Sequence, residues 1–128
     1  MKQAIQLLLT AIISAALVIG VVHIFKLANK PDSEVIIGDY STYGVSVENP
    51  VVIFTREGCV YCEMLVNYLS KNNIEFIDKN ISSPQIKATY EQLNKNVTPI
   101  VLIGDKLITG YQKRTINHEL IKLGLLVE

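Results

Sequence analysis

Val51-Val52-Ile53-Phe54-Thr55-Arg56-Glu57-Gly58-Cys59-Val60-Tyr61-Cys62 is the stretch that decides the fold. Its first four residues are apolar on both faces of an extended chain, as a central strand is. Two cysteines three apart follow, and Cys62 falls in a stripe with Leu65, Val66 and Leu69 at the spacing of one helix face. The stretch therefore reads as strand, turn and helix, with Cys59 in the first turn of that helix. There its sulfur meets unpaired backbone N–H groups and the positive end of the dipole, an environment that favours the reactive thiolate. Cys62, one turn later, leans toward the core. One sulfur is thus expected at the surface and the other shielded, an asymmetry suited to dithiol–disulfide exchange. Two cysteines that merely pack, or half of a zinc site, are the competing readings. A zinc site would have to recruit His23 and His118, both distant in sequence. The strand–Cys-x-x-Cys–helix context favours the redox pair, with no metal.

Downstream, the helix is expected to run to about Lys71, with Asn72-Asn73 closing it and Ile74-Glu75-Phe76-Ile77 forming a second strand. Ser83-Pro84 is a helix start, a capping hydroxyl followed by proline at the first helical position, with Ile86, Tyr90 and Leu93 on the buried face. Ile100–Ile103 and Lys106–Thr109, split by Gly104-Asp105, read as an antiparallel hairpin. Thr115 is expected to cap a last helix carrying Ile116, Leu120, Ile121 and Leu123, with Gly124 at its end. The fold class is α/β, three helices covering a mixed four-stranded sheet over residues 51–128.

Upstream, no charged residue interrupts the chain from Ala4 to Phe25. As a helix, those residues span roughly 33 Å, enough to cross a hydrocarbon core of about 30 Å. A cleaved signal peptide would have a shorter apolar region ending in a small-x-small site, and Val22-His23-Ile24-Phe25-Lys26 offers none. Residues 1–26 are therefore expected to be a single-pass transmembrane anchor. Lys2 on one side and Lys26 and Lys30 on the other leave the positive-inside count nearly tied. With three residues ahead of the apolar run, the N-terminus is expected inside and the domain outside the cytoplasm, that is, periplasmic. Residues 27–50 read as a connector rich in turn formers, Pro31, Asp32, Ser33, Gly38, Asp39, Gly44 and Pro50 among them. Within it, Val35-Ile36-Ile37 and Val45-Ser46-Val47 are candidate short edge strands, and as a plain tether it would reach at most about 80 Å.

The 128 residues leave room for one small domain and an appendage. Net charge is zero and no basic block exists, so nucleic acid is excluded as a partner. Two cysteines, close in the chain, supply no disulfide framework.

The order of elements, together with Cys59-Val60-Tyr61-Cys62 and with Val97-Thr98-Pro99 entering the third strand, resembles the glutaredoxin branch of the thioredoxin superfamily over roughly Val51 to Leu123. The resemblance implies a thioredoxin-like fold with Pro99 as a cis proline facing the dithiol and the backbone of Thr98 pairing with a bound peptide. It also implies substrate contacts from Val97, from Arg56, where a lysine is common, from Tyr61, which matches the family's tyrosine, and from Gly110 and Tyr111. Cys59 would be the nucleophile and Cys62 the resolving cysteine of a thiol–disulfide oxidoreductase. Such an enzyme has no tightly bound cofactor and takes glutathione as a candidate co-substrate. Its partners would be protein disulfides or glutathione mixed disulfides, with glutathione or a reductase as donor. Val60 stands where many members have proline. Gly110-Tyr111-Gln112 replaces the usual paired glycines and acid that grip glutathione, a pattern closer to redoxins served by a reductase. A glutathione-dependent iron–sulfur carrier, using Cys59 as the cluster ligand, is the alternative from another class.

Overall fold

A computed structural model describes residues 1–28 and 34–127. The turn formers Pro31, Asp32 and Ser33, and Lys30 of the charge count, lie outside them. The chain divides into two compact units, Met1–Asp32 and Ser33–Glu128.

The first unit contains one helix, α1 (Lys2–Ala28). Its segment Lys2–Phe25 is long and apolar enough to cross a membrane by length and composition, with none of it buried against protein. Thr10 and Ser14 return their hydroxyls to the carbonyls of Leu7 and Ala11, 2.9 Å away in each case. Two of the three uncharged polar side chains ahead of His23 in the apolar run thus carry their own partners, which lowers the cost of placing them in hydrocarbon.

The second unit is an α/β domain. Its elements are β1 (Val35–Ile37), a 3₁₀ turn (Ser41–Tyr43), β2 (Val51–Thr55), α2 (Val60–Lys71), β3 (Ile77–Asn80), α3 (Pro84–Glu91), β4 (Ile100–Ile103), β5 (Lys106–Thr109) and α4 (Lys113–Lys122). The sheet order is β1-β5-β4-β2-β3, with β2 and β3 parallel and every other pair antiparallel. Strands β2 and β4 are buried along their whole length, as their unbroken apolar runs require. Alternation sends Val51 and Ile53 to one face, against Leu65 and Leu69 of α2 and Ile116 and Leu120 of α4. Val52 and Phe54 go to the other, against Tyr90 of α3 and the Tyr40 segment.

The sheet has five strands rather than four. Val35–Ile37 pairs with β5 in the register Val35↔Ile108 and Ile37↔Lys106, so part of the expected connector belongs to the domain. Val45–Val47 is not a strand. Val45 packs with Tyr40 and Tyr43 over the Phe54 face, while Val47 is fully exposed, because Ser46 closes a turn with Asn49, its amide on the Asn49 carbonyl and its hydroxyl accepting from the Asn49 amide, both at 3.0 Å.

Strand β3 lies three residues later than expected. Asn73 adopts a left-handed backbone (φ 55°), and Ile74, its amide bonded to the Leu69 carbonyl, is buried in the core to close α2. The polar run Asp78-Lys79-Asn80 then pairs with β2 as an edge, where one face meets solvent. At α3, Pro84 takes the expected first position, but the Ser83 hydroxyl turns to Gln85 Oε1 (2.9 Å) instead of capping the backbone. Helix α4 begins before Thr115, with Gln112 as its first capping residue; the Ile116 amide bonds the Gln112 carbonyl, and the Thr115 hydroxyl meets Gln112 Oε1.

Candidate active site

The dithiol sits where β2 hands over to α2. Gly58 has φ +67°, a turn that a side chain would strain. The turn lets the chain leave the sheet in time for Cys59 to be the N-cap of α2, in extended conformation. Cys59 Sγ accepts a hydrogen bond from the Cys62 amide at 3.2 Å, and the Cys59 carbonyl accepts from the Glu63 amide at 3.1 Å. A sulfur at that position satisfies one of the orphan donors of the first turn, which favours negative charge on it. Cys59 and Cys62 are joined as a disulfide, their Cα atoms 5.2 Å apart.

From the other side comes the segment before β4. The Thr98–Pro99 peptide bond is cis. Thr98 meets Cys59 twice: its hydroxyl oxygen lies 3.7 Å from Cys59 Sγ and its carbonyl oxygen 3.8 Å from the same sulfur. Gly110, at the end of β5 with φ +74°, donates its amide to the Pro99 carbonyl at 2.8 Å and so extends the hairpin ladder to the proline. Cys59 is more covered than expected. It retains 6% exposure against 3% for Cys62, with both Thr98 oxygens within 4 Å of its sulfur.

Two cavities flank the pair. One, of about 320 Å³, is lined by Arg56, Tyr90, Asn96, Val97 and Thr98. It brings together three of the residues singled out in the sequence as substrate contacts, Arg56, Val97 and Thr98. The other, of about 410 Å³, opens beside Cys62 and is lined by Thr55, Glu63, Asn67 and Asp78 among others, with the Thr55 hydroxyl donating to Asp78 Oδ1 at 2.6 Å. Tyr61 stands on α2 with 62% of its surface exposed. Tyr111 goes elsewhere: its ring packs on Tyr68 (centroids 6.2 Å apart) and against the α2–α4 core. Burial there pushes its phenol above the ordinary value. Among the described residues no group of three or more metal-ligating side chains exists.

Tyr90 is a site residue that the sequence showed only as packing. Its hydroxyl donates to the Val97 carbonyl at 2.8 Å, anchoring the segment that carries Thr98. Burial pushes the phenol above its ordinary value, while the Val97 bond and the Arg56 charge pull the other way. Helical periodicity places the ring inward but says nothing of where a hydroxyl ends. Tyr90→Phe is expected to lower stability by about 1 kcal/mol through loss of that bond, read as a shift in denaturant midpoint with an unchanged slope.

Comparison with known proteins follows the same lines. The family description "Glutaredoxin" matches residues 51–108. No curated protein matches the chain by sequence. Among solved structures, a glutaredoxin (grx-1) from Archaeoglobus fulgidus superposes with TM-score 0.51 at 19% identity, over 56% of this chain and 86% of that one. A buckwheat glutaredoxin–glutathione complex superposes with TM-score 0.52 at 20% identity, over 68% and 90%. These two likenesses are of fold. The family match spans the dithiol and the cis proline, so residues 51–108 are similar to a glutaredoxin domain, and the pair Cys59–Cys62 is that of a glutaredoxin-like thiol–disulfide oxidoreductase.

Proposed function

We propose that this redoxin reduces disulfides in protein partners at a membrane surface, with α1 as its single-pass anchor and the domain on the extracytoplasmic side. The observation that carries the reading is the seat of Cys59 Sγ, bonded to the Cys62 amide at the head of α2 and faced by the Thr98 backbone before the cis proline. The Cys59 thiolate attacks one sulfur of the partner's disulfide, forming a mixed disulfide and expelling the other sulfur as a thiolate. The Cys62 thiolate then attacks Cys59 Sγ, releasing the second partner thiol and closing Cys59–Cys62. Two electrons pass from this dithiol to the partner. A separate donor, glutathione or a reductase, opens the pair again.

A protein disulfide is favoured over a glutathione mixed disulfide by the placement of two residues that follow β5. Tyr111 occupies the second-glycine position and is committed to Tyr68. Lys113, a cation that would otherwise meet a carboxylate, stands over the same Tyr68 ring at 5.1 Å. Arg56 in the 320 Å³ cavity is a further candidate for a carboxylate partner. The test is a rate comparison with the reduced chain: a small protein disulfide is expected to oxidise Cys59–Cys62 faster than a glutathionylated cysteine peptide does. Equal or reversed rates overturn the preference, and no oxidation by either overturns the exchange reading.

The anchor is tested separately. The full chain is expected to stay with the membrane pellet through high-salt and carbonate washes, and a chain lacking residues 1–28 to move to the supernatant. Recovery of the full chain in the wash contradicts the anchor. An impermeant thiol reagent, applied to intact cells after reduction, is expected to label Cys59; labelling only after lysis places the domain inside.

A further inference from the structure

The site as described uses Thr98 for its backbone. Its side chain is left over, yet it makes a contact of its own. Thr98 Oγ1 lies 3.7 Å from Cys59 Sγ across 39 positions of sequence, oriented as a donor toward the sulfur. The hydroxyl is the second donor to reach that atom, after the Cys62 amide at 3.2 Å.

We infer that the Thr98 hydroxyl is a positioning residue for Cys59, donating a hydrogen bond that holds the reduced sulfur as the thiolate. A donor stabilises the charged form of its acceptor more than the neutral form, so it lowers the pH at which the thiol ionises. The proton lost by Cys59 goes to solvent, and Thr98 keeps its own. The same bond steadies Cys59 when it departs as a thiolate during reopening of the disulfide.

The geometry makes the effect local. Tyr90 fixes the Val97 carbonyl and Gly110 fixes the Pro99 carbonyl, so Thr98 is held from both sides and does not swing away when the disulfide opens. The charged and titratable groups around Cys59 are Arg56 and Glu57 on the loop before it and Tyr61 and Glu63 on α2. Tyr90 lines the cavity beside Thr98, and Lys95, three residues before it in the chain, is paired with Glu34 at 2.6 Å.

The inference rests on the proposed exchange reading, and one experiment separates the two. In the full chain carrying Cys62→Ser, the rate of iodoacetamide alkylation of Cys59 is followed against pH for Thr98, Thr98→Val and Thr98→Ser. The valine variant, of equal shape, is expected to show a midpoint about one pH unit higher, a tenfold smaller thiolate fraction below the midpoint. Serine restores the hydroxyl and is expected to return the midpoint to that of Thr98. If the valine variant does not fold, Thr98→Ala removes the hydroxyl equally and carries the same expectation. A valine or alanine midpoint equal to that of the parent, or a serine midpoint equal to that of valine, overturns the assignment while leaving the exchange reading intact. A parent midpoint at the value of an ordinary thiol, with no exchange in the chain that keeps Cys62, overturns both.

Discussion

Cys59→Ser is expected to lower disulfide exchange by on the order of a thousandfold or more, because a serine hydroxyl at neutral pH supplies almost no anion to attack sulfur. Nothing near the site compensates. Cys62 is 3% exposed and lies within the first turn of α2, where its own amide is bonded to Cys59 Sγ, so its sulfur does not hold the N-cap position that Cys59 holds. Cys62→Ser is expected to behave differently. Its Cys59 still accepts the residue-62 amide, which is backbone, and still faces Thr98, so the first attack proceeds and the reaction stops at a mixed disulfide. Substrate consumption measured under single turnover separates the two variants: a first step retained for Cys62→Ser and lost for Cys59→Ser. The reverse outcome exchanges the two roles.

The second large effect belongs to the scaffold. Phe54→Ala is expected to cost about 3–5 kcal/mol, the range for deleting a fully buried aromatic ring. Phe54 has no exposed surface and is the residue through which three pieces of the domain meet. Its ring lies 5.9 Å from Tyr90 of α3 and 6.3 Å from Tyr43 of the segment before β2, the latter edge-on, with Lys79 over its face at 5.9 Å. The mutation opens a cavity under Tyr90, the residue that anchors Val97. Thermal or denaturant unfolding reads the loss of stability. The reduced variant is also expected to alkylate more slowly at Cys59 even at temperatures where it is folded, because Thr98 is held less firmly. Stability within about 1 kcal/mol of the parent contradicts this account of the core, since cavities of that size are not refilled without cost.

What was legible in the sequence follows from how strongly each segment constrains its own structure. Val51–Phe54 and Ile100–Ile103 are short unbroken apolar runs bounded by proline, glycine or polar residues, and such runs fit the middle of a sheet. Cys62, Leu65 and Leu69 share a helix face by spacing alone and are buried together. The edges were less legible, because they are decided by pairing rather than by side chains. Asp78-Lys79-Asn80 has no apolar pattern, yet its backbone completes the ladder with β2. Val35–Ile37 is too short to announce whether it is tether or strand until β5 is there to receive it. Caps failed for a similar reason: Ser83 and Thr115 have the right hydroxyls, but a glutamine side chain lies within reach of each and takes the bond.

The site divides in the same way. The cysteines, Val97-Thr98-Pro99 and Gly110 could be named in the sequence because they form short motifs. The depth of Cys59 could not, since it depends on Thr98 arriving from 39 residues away. Tyr111 was named from its place after Gly110, whereas its direction is set by a second ring, Tyr68, on another element.

The central claim is that Cys59 attacks and Cys62 resolves. The most direct measurement incubates the reduced Cys62→Ser chain with a protein disulfide and locates the covalent adduct by peptide mass spectrometry. The expected result is a stable mixed disulfide at residue 59. Absence of an adduct there, with the reduced Cys59→Ser chain instead forming one at residue 62, would contradict it.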